Sequence, residues 1–255
     1  MAKRSRANQG QVLIIAALVI VVMLLSTAMY IVDSQKSQLK AQTETSLNLP
    51  FYKQGIQHTM ISALVNISNG GTNDILQTDI DSFNTFVSQQ SFGAFFTSEA
   101  TMQESGGYQN GVWKVQNQSG TAILSAYTNF SVESSGTTEI IQSDFTINVT
   151  SMIQTQGVYS QDNSSKQVQL TCQVFNEGKP ALAANFSISY ENDGSLAFES
   201  WVPVEAPNIT NYGDGTYLIT FNATTEQPEN LLLIWLSCQD QRGITLQTLV
   251  EPVLQ

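Results

Sequence analysis

Histidine is nearly missing from this chain: His58 is the only one among 255 residues, and cysteine occurs only at Cys172 and Cys238. A Ser-His-Asp or Cys-His centre needs its histidine beside a positioned nucleophile, and His58 falls in a predicted helix far along the chain from both cysteines. A structural zinc site draws on several Cys and His ligands, more than this inventory supplies. Charge is scarce as well, at 12% of residues, about half the globular norm. Of the ten Lys and Arg, three (Lys3, Arg4 and Arg6) precede the first apolar run, leaving seven against 21 acids and a formal net charge of −11. An acidic body without a basic patch repels phosphate backbones, which excludes nucleic acid as a partner.

Other site chemistry is equally thin. Gly213-Asp214-Gly215 lacks the helix and lysine that a phosphate-cradling loop requires. Asp193-Gly194, Asp214-Gly215 and Asp240 offer oxygens to calcium, but no D-x-D-x-D-G loop is present and Asp-Gly is ordinary hairpin chemistry. No catalytic, cofactor or metal residue is assigned, and the chain reads as a non-enzyme.

Uncharged polar side chains fill the gap: Ser, Thr, Asn and Gln make up 95 of the 255 residues. Hydrophobic content of 42% suffices for packed cores, and the length has room for about two domains. Residues 12–32 contain no charged side chain. A helix of that length crosses ~30 Å of hydrocarbon at about 1.5 Å per residue. Cations on its short flank predict a cytoplasmic N-terminus, with the remainder of the chain outside. A cleaved secretory signal, using Ser26-Thr27-Ala28 as a poor cleavage site, and a retained anchor are the alternatives; the expectation is a retained single-pass helix in the cell membrane.

A short basic leader closed by Gly10, with Gln11 opening the apolar run, resembles the class III leader of archaeal type IV pilin-like proteins. The resemblance covers roughly the first 40 residues. It implies cleavage between Gly10 and Gln11, and packing of the apolar helix into a filament core, so that protein partners or further copies of the chain assemble through it. Ala16, Ala17, Ser26 and Ala28 supply small residues for such lateral packing.

Downstream, Ile56, Met60, Ala63, Leu64 and Ile67 keep a helical period, with Pro50 expected to kink or end the preceding segment and Asn69-Gly70-Gly71 a stop. A second helix is predicted over 73–90, and Phe92, Phe95 and Phe96 follow as core aromatics. After Gly106-Gly107 the period falls to two: Val112–Val115, Leu124–Val132 and Asp144–Thr150 read as strands. The polar stretch Ser160–Ser165 reads as a linker. Beyond it Val168–Val174, Ala184–Tyr190, Leu196–Val204, Thr216–Asn222, Leu231–Gln239 and Ile244–Val250 predict a two-sheet sandwich. The expected fold class is α+β followed by all-β: leader 1–10, transmembrane helix 11–32, helical and β-meander stalk 33–160, and sandwich 166–255.

NEGKPALAANFSISYENDG, NYGDGTYLITFNAT and LSCQDQRGI resemble the immunoglobulin-like repeats of prokaryotic surface proteins over residues 166–250, which implies an Ig-like sandwich. Cys172 shares its phase with Leu170 and Val174, and Cys238 with Ile234 and Leu236. Both therefore point inward, predicting a disulfide between the sheets, with buried free thiols as the alternative. Eight N-x-Ser/Thr sequons, at Asn66, Asn117, Asn129, Asn148, Asn163, Asn185, Asn208 and Asn222, exceed the about four expected by chance and predict a glycoprotein. The functional expectation is a membrane-anchored cell-surface structural or adhesion protein, a pilin-like subunit or pilus-associated component. The alternative is an anchored binding module or receptor subunit whose Ig-like domain holds a protein or glycan.

Overall fold

The computed structural model describes residues 49–90, 95–116, 119–135, 140–162, 165–193, 200–225 and 232–255. The chain is dominated by strands. Helix α1 covers residues 49–68 of this set and helix α2 spans Asp74–Gln90. Tyr52, Ile56, Met60, Ala63, Leu64 and Ile67 of α1 are buried, as are Leu76 and Ile80 of α2. Each helix thus has one apolar stripe and a polar remainder. Gly70, at a φ of 104°, turns the chain between them. At Gly55 a β-carbon would sit 2.3 Å from the Phe83 ring, so only glycine lets α2 lie this close to α1.

Thirteen strands are described. A nine-stranded sheet has the path β1 (Phe95–Met102), β3 (Thr121–Ser135), β4 (Ile140–Asp162), β5 (Ser165–Asn176), β10 (Thr216–Thr224) and β9 (Asn208–Asn211). β2 (Val112–Gln116) continues the edge along β3, β6 (Lys179–Pro180) pairs with β5, and β13 (Val253–Leu254) runs parallel to β4. A four-stranded sheet has the order β12 (Thr245–Val250), β11 (Ile234–Asp240), β7 (Ala183–Tyr190) and β8 (Val202–Pro203).

β4 organises the molecule. Its first part pairs with β3, from Ile140↔Ser135 to Gln154↔Thr121. Its second part pairs with β5, from Ser151↔Asn176 to Asp162↔Ser165. The helices supply the core beside the first part: Tyr52 meets Phe83, Phe96 and Phe145 at centroid distances of 5.7, 5.0 and 6.1 Å. Opposite the second part lies the four-stranded sheet. There Val168, Leu170 and Val174 of β5, Ile219 of β10, and Ile234 and Leu236 of β11 are wholly buried.

Several expectations change. The expected α+β stalk followed by a separate sandwich is replaced by a mostly β fold in which one sheet runs through both regions. In the polar run read as a linker, Ser160, Gln161 and Asp162 belong to β4 and Ser165 to β5, and the two strands pair up to Asp162↔Ser165. A hairpin tip and a linker carry the same hydrophilic residues, which is why composition alone misreads it. A stand-alone Ig-like sandwich is corrected for the same reason, since β5, β10 and β9 share their sheet with β1–β4. The leader, the Gly10–Gln11 cleavage site and the apolar run 12–32 lie outside the described residues. Among the described residues no helix is long and apolar enough to cross a membrane, because α1 and α2 are one-sided. The expectation of a single-pass membrane protein with an extracellular body is therefore withdrawn.

Candidate functional site

Cys172 and Cys238 occupy inward positions on β5 and β11, from the two facing sheets, and both are fully buried free thiols. The expected bridge between them is absent from this structure. Burial pushes the Cys172 thiol up to about 11, opposed by the hydroxyl of Thr155, its partner across the β4–β5 ladder. Burial likewise pushes Cys238 up to about 12, helped by the nearby Cys172 and Asp240. Such thiols stay protonated and unreactive at neutral pH. His58 is exposed on α1. Among the described residues no three His, Cys, Asp or Glu side chains group as a metal site.

Two buried charged clusters went unnoticed in the sequence. The Asp240 carboxylate accepts hydrogen bonds from the Arg242 and Ile244 backbone N–H groups, both at 2.9 Å, and from Ser151 Oγ at 3.0 Å. Arg242 Nε donates to the same carboxylate at 2.9 Å, Nη1 to Glu177 at 2.6 Å, and Nη2 to the Thr150 carbonyl at 2.9 Å. One guanidinium fork thereby ties the β11–β12 turn to β4 and to the turn after β5. Lys166 is an inward residue of β5 with its Nζ 5.2 Å from the Tyr159 ring centroid. Burial holds its pKa below the usual lysine value, and the charge of buried Glu191 works against that shift. Both clusters are interior and sheet-joining.

The sequons are governed by strand periodicity. Asn66, Asn129, Asn148, Asn185, Asn208 and Asn222 are all exposed; Asn117 and Asn163 lie outside the described residues. In Asn129-Phe130-Ser131, Asn148-Val149-Thr150 and Asn222-Ala223-Thr224 the middle residue is buried in the core. The outer two side chains then share the solvent face, as a period of two requires. An Asn/Thr-rich face alternating with apolar residues generates sequons by itself. Asn185, at φ 54°, donates its amide to Gln239 Oε1 at 2.7 Å, whereas no side-chain hydrogen bond to Asn208 or Asn222 occurs among the described residues.

The most distinctive surface is the outer face of the large sheet beyond the helix-covered part. Its register gives rows of paired residues across the strands: Gln154, Gln173 and Thr216; then Gln156, Thr171, Leu218 and Thr210; then Val158, Gln169, Thr220 and Asn208; then Ser160, Gln167 and Asn222. None of these side chains is ionisable, on a chain carrying 31 Asp, Glu, Lys and Arg. By contrast, the row Glu99, Ser131 and Asp144 on the outer face of the helix-covered part carries two carboxylates.

A groove of about 1180 Å³ opens on the uncharged face, floored by Gln156, Val158, Gln169 and Thr171 and walled by Val250–Leu254. β13 forms this wall, holding to Val158 and Tyr159 by two parallel pairs and by the Gln255 N–H to Tyr159 carbonyl bond at 2.9 Å. Gly157 makes the approach possible, since a β-carbon there would stand 2.6 Å from Leu170 and 3.1 Å from Pro252. Alternation in β5 made Gln169 and Thr171 readable as outward from the sequence; Gln156 and Val158 lie beyond Thr150, where the predicted strand ends, and the groove was not readable because its wall comes from a distant segment. Comparison with protein-family models, curated proteins and solved structures finds no match to the chain, so the fold and its surfaces carry the functional reading.

Proposed function

We propose that the chain is a non-catalytic structural or adhesion component of the pilin-like kind, working by assembly and surface contact and not by turnover. The observation that carries this reading is the broad exposed sheet face of amides and hydroxyls. A surface of hydrogen-bonding amides and hydroxyls with few ionisable side chains suits holding a partner more than transforming one. The Gly10–Gln11 leader resemblance adds a route to assembly, in which the apolar run 12–32 joins copies of the chain or other protein partners.

Mass spectrometry of the mature protein tests this. A chain beginning at Gln11, with filaments visible by negative-stain electron microscopy, supports the pilin-like reading. A chain beginning at Met1 or Ala2 that forms no filament removes it.

A second reading, a binding module that captures a protein or glycan, is favoured by the groove beside β13. It predicts ligand retention by the protein with no dependence on filament formation.

A further inference from the structure

The groove beside β13 allows a ligand class to be named, and this step rests on the binding-module reading. Its floor has amides at Gln156 and Gln169 and a hydroxyl at Thr171, all exposed. No side-chain hydrogen bond to any of the three occurs among the described residues, so their donors and acceptors are open to a ligand. Its wall is apolar at Pro252, Val253 and Leu254, and the last two are 67% and 58% exposed. Neutral sugars match that combination, with hydroxyls that both donate and accept and C–H faces that lie on apolar surface. A primary amide meets two vicinal hydroxyls with its donor and its acceptor together.

Charge narrows the class. Only Glu251 among the lining residues is ionised, on a body of net charge −11, so polyanionic sugars and nucleic acids are repelled. A peptide adding as a strand requires free ladder groups. On β4 the edge facing the groove is taken at Val158 and Tyr159 by β13 itself. The volume of about 1180 Å³ exceeds the ~300–1,000 Å³ of ordinary small-molecule sites, which fits a stretch of polymer better than one sugar ring. We propose that the groove binds a neutral polysaccharide, its hydroxyls paired to Gln156, Gln169 and Thr171 and its C–H faces against Val253 and Leu254.

The test is affinity electrophoresis of the full-length protein, made in a host that adds no N-glycans so that Asn208 and Asn222 stay bare. Native gels contain dextran, mannan or hydroxyethyl cellulose, with alginate as the anionic comparator. The expected result is retardation in at least one neutral gel and none in alginate. Paired replacement Gln156→Ala and Gln169→Ala raises the apparent Kd at least tenfold, and Thr171→Lys does so independently. Both variants keep the wild-type melting temperature, because the altered side chains are exposed.

Unchanged mobility in all three neutral gels overturns the proposal, as does equal retardation in alginate or unaltered binding by both variants. Slowed migration in the polymer-free gel, with mass rising with concentration, assigns the face to a second copy and also overturns it. Capture of a protein partner without neutral-polymer binding removes this inference and leaves the binding-module reading standing. Filament formation is read separately.

Discussion

One sheet serves two regions of this protein, and they are covered differently. Beside β1, β3 and the start of β4 the cover is a helical hairpin, and Tyr52 of α1 joins Phe130 of β3 and Phe145 of β4, whose rings stack at 5.4 Å. Beside β5, β10 and the end of β4 the cover is a second sheet, and the core holds aliphatic residues, the aromatic pairs Phe186–Tyr217 and Tyr190–Phe221, two thiols and an ion-paired carboxylate. The outer faces diverge in step: behind the helices the row Glu99, Ser131 and Asp144 is acidic, whereas behind the sandwich the four rows from Gln154 to Ser160 carry no ionisable side chain and Asp162 stands only at the far end of β4. A helix brings its own backbone hydrogen bonds and needs only an apolar stripe. A sheet-on-sheet contact must also satisfy the turns at its rim, and Asp240 and Arg242 do that here.

The sharpest way to break the comparison is to remove that rim. Asp240→Ala leaves Arg242 without its buried partner and frees two backbone N–H groups. The expected cost is about 3–5 kcal/mol, read by urea denaturation. A matching loss from Tyr52→Phe would erase the distinction between regions. Tyr52 OH donates to Asn84 at 2.7 Å and is shared with Ser98, and its removal is expected to cost only about 1–1.5 kcal/mol.

Alkali distinguishes the regions by pH. The Cys172, Cys238 and Tyr52 pKa values lie above their unfolded values of 9.0, 9.0 and 10.0, so the fold favours the protonated groups. Their stabilisation is complete below the unfolded values and is lost as pH climbs from about 9 towards about 12. Lys166, whose folded value is lowered, works in the opposite sense: its penalty fades as the pH rises towards 10.5. Thermal melts across pH 8–11 are expected to fall from about pH 9, and replacing both cysteines by alanine delays the fall towards about pH 10. Thiol labelling sharpens the same point. Native protein is expected to react at neither cysteine, and denatured, unreduced protein at both. The smallest effect is on the outer face, where Gln156→Ala with Gln169→Ala changes stability by less than about 0.5 kcal/mol.

Much of the sandwich region was legible because β5, β10, β11 and β12 alternate: Val168, Leu170, Cys172 and Val174 point inward in β5 while Gln167, Gln169, Thr171 and Gln173 point outward. α2 was equally plain, starting one residue later than its pattern predicts. β1 was missed because two of its inward positions hold Ser98 and Ala100, so its apolar period is faint. Ser98 belongs there as the partner of Tyr52, which a one-dimensional pattern does not reveal. β9 was missed because all four of its residues are exposed, which leaves no apolar phase to detect. Lys166 breaks the hydrophobic phase of β5 and yet is fully buried; its compensation comes from Tyr159 on β4 and from Glu191 just past the end of β7. The groove residue Gln169 is visible only as polar alternation until β13 is placed beside it.

The length of β4 has a mechanical meaning. Because one covalent strand is laced to β3 over its first part and to β5 over its second, a tug on either neighbour loads the same backbone. Tension along that axis must shear many crosswise bonds at once, whereas the short β13 peels after two. A fold laced this way is expected to yield first at β13 and last along β4.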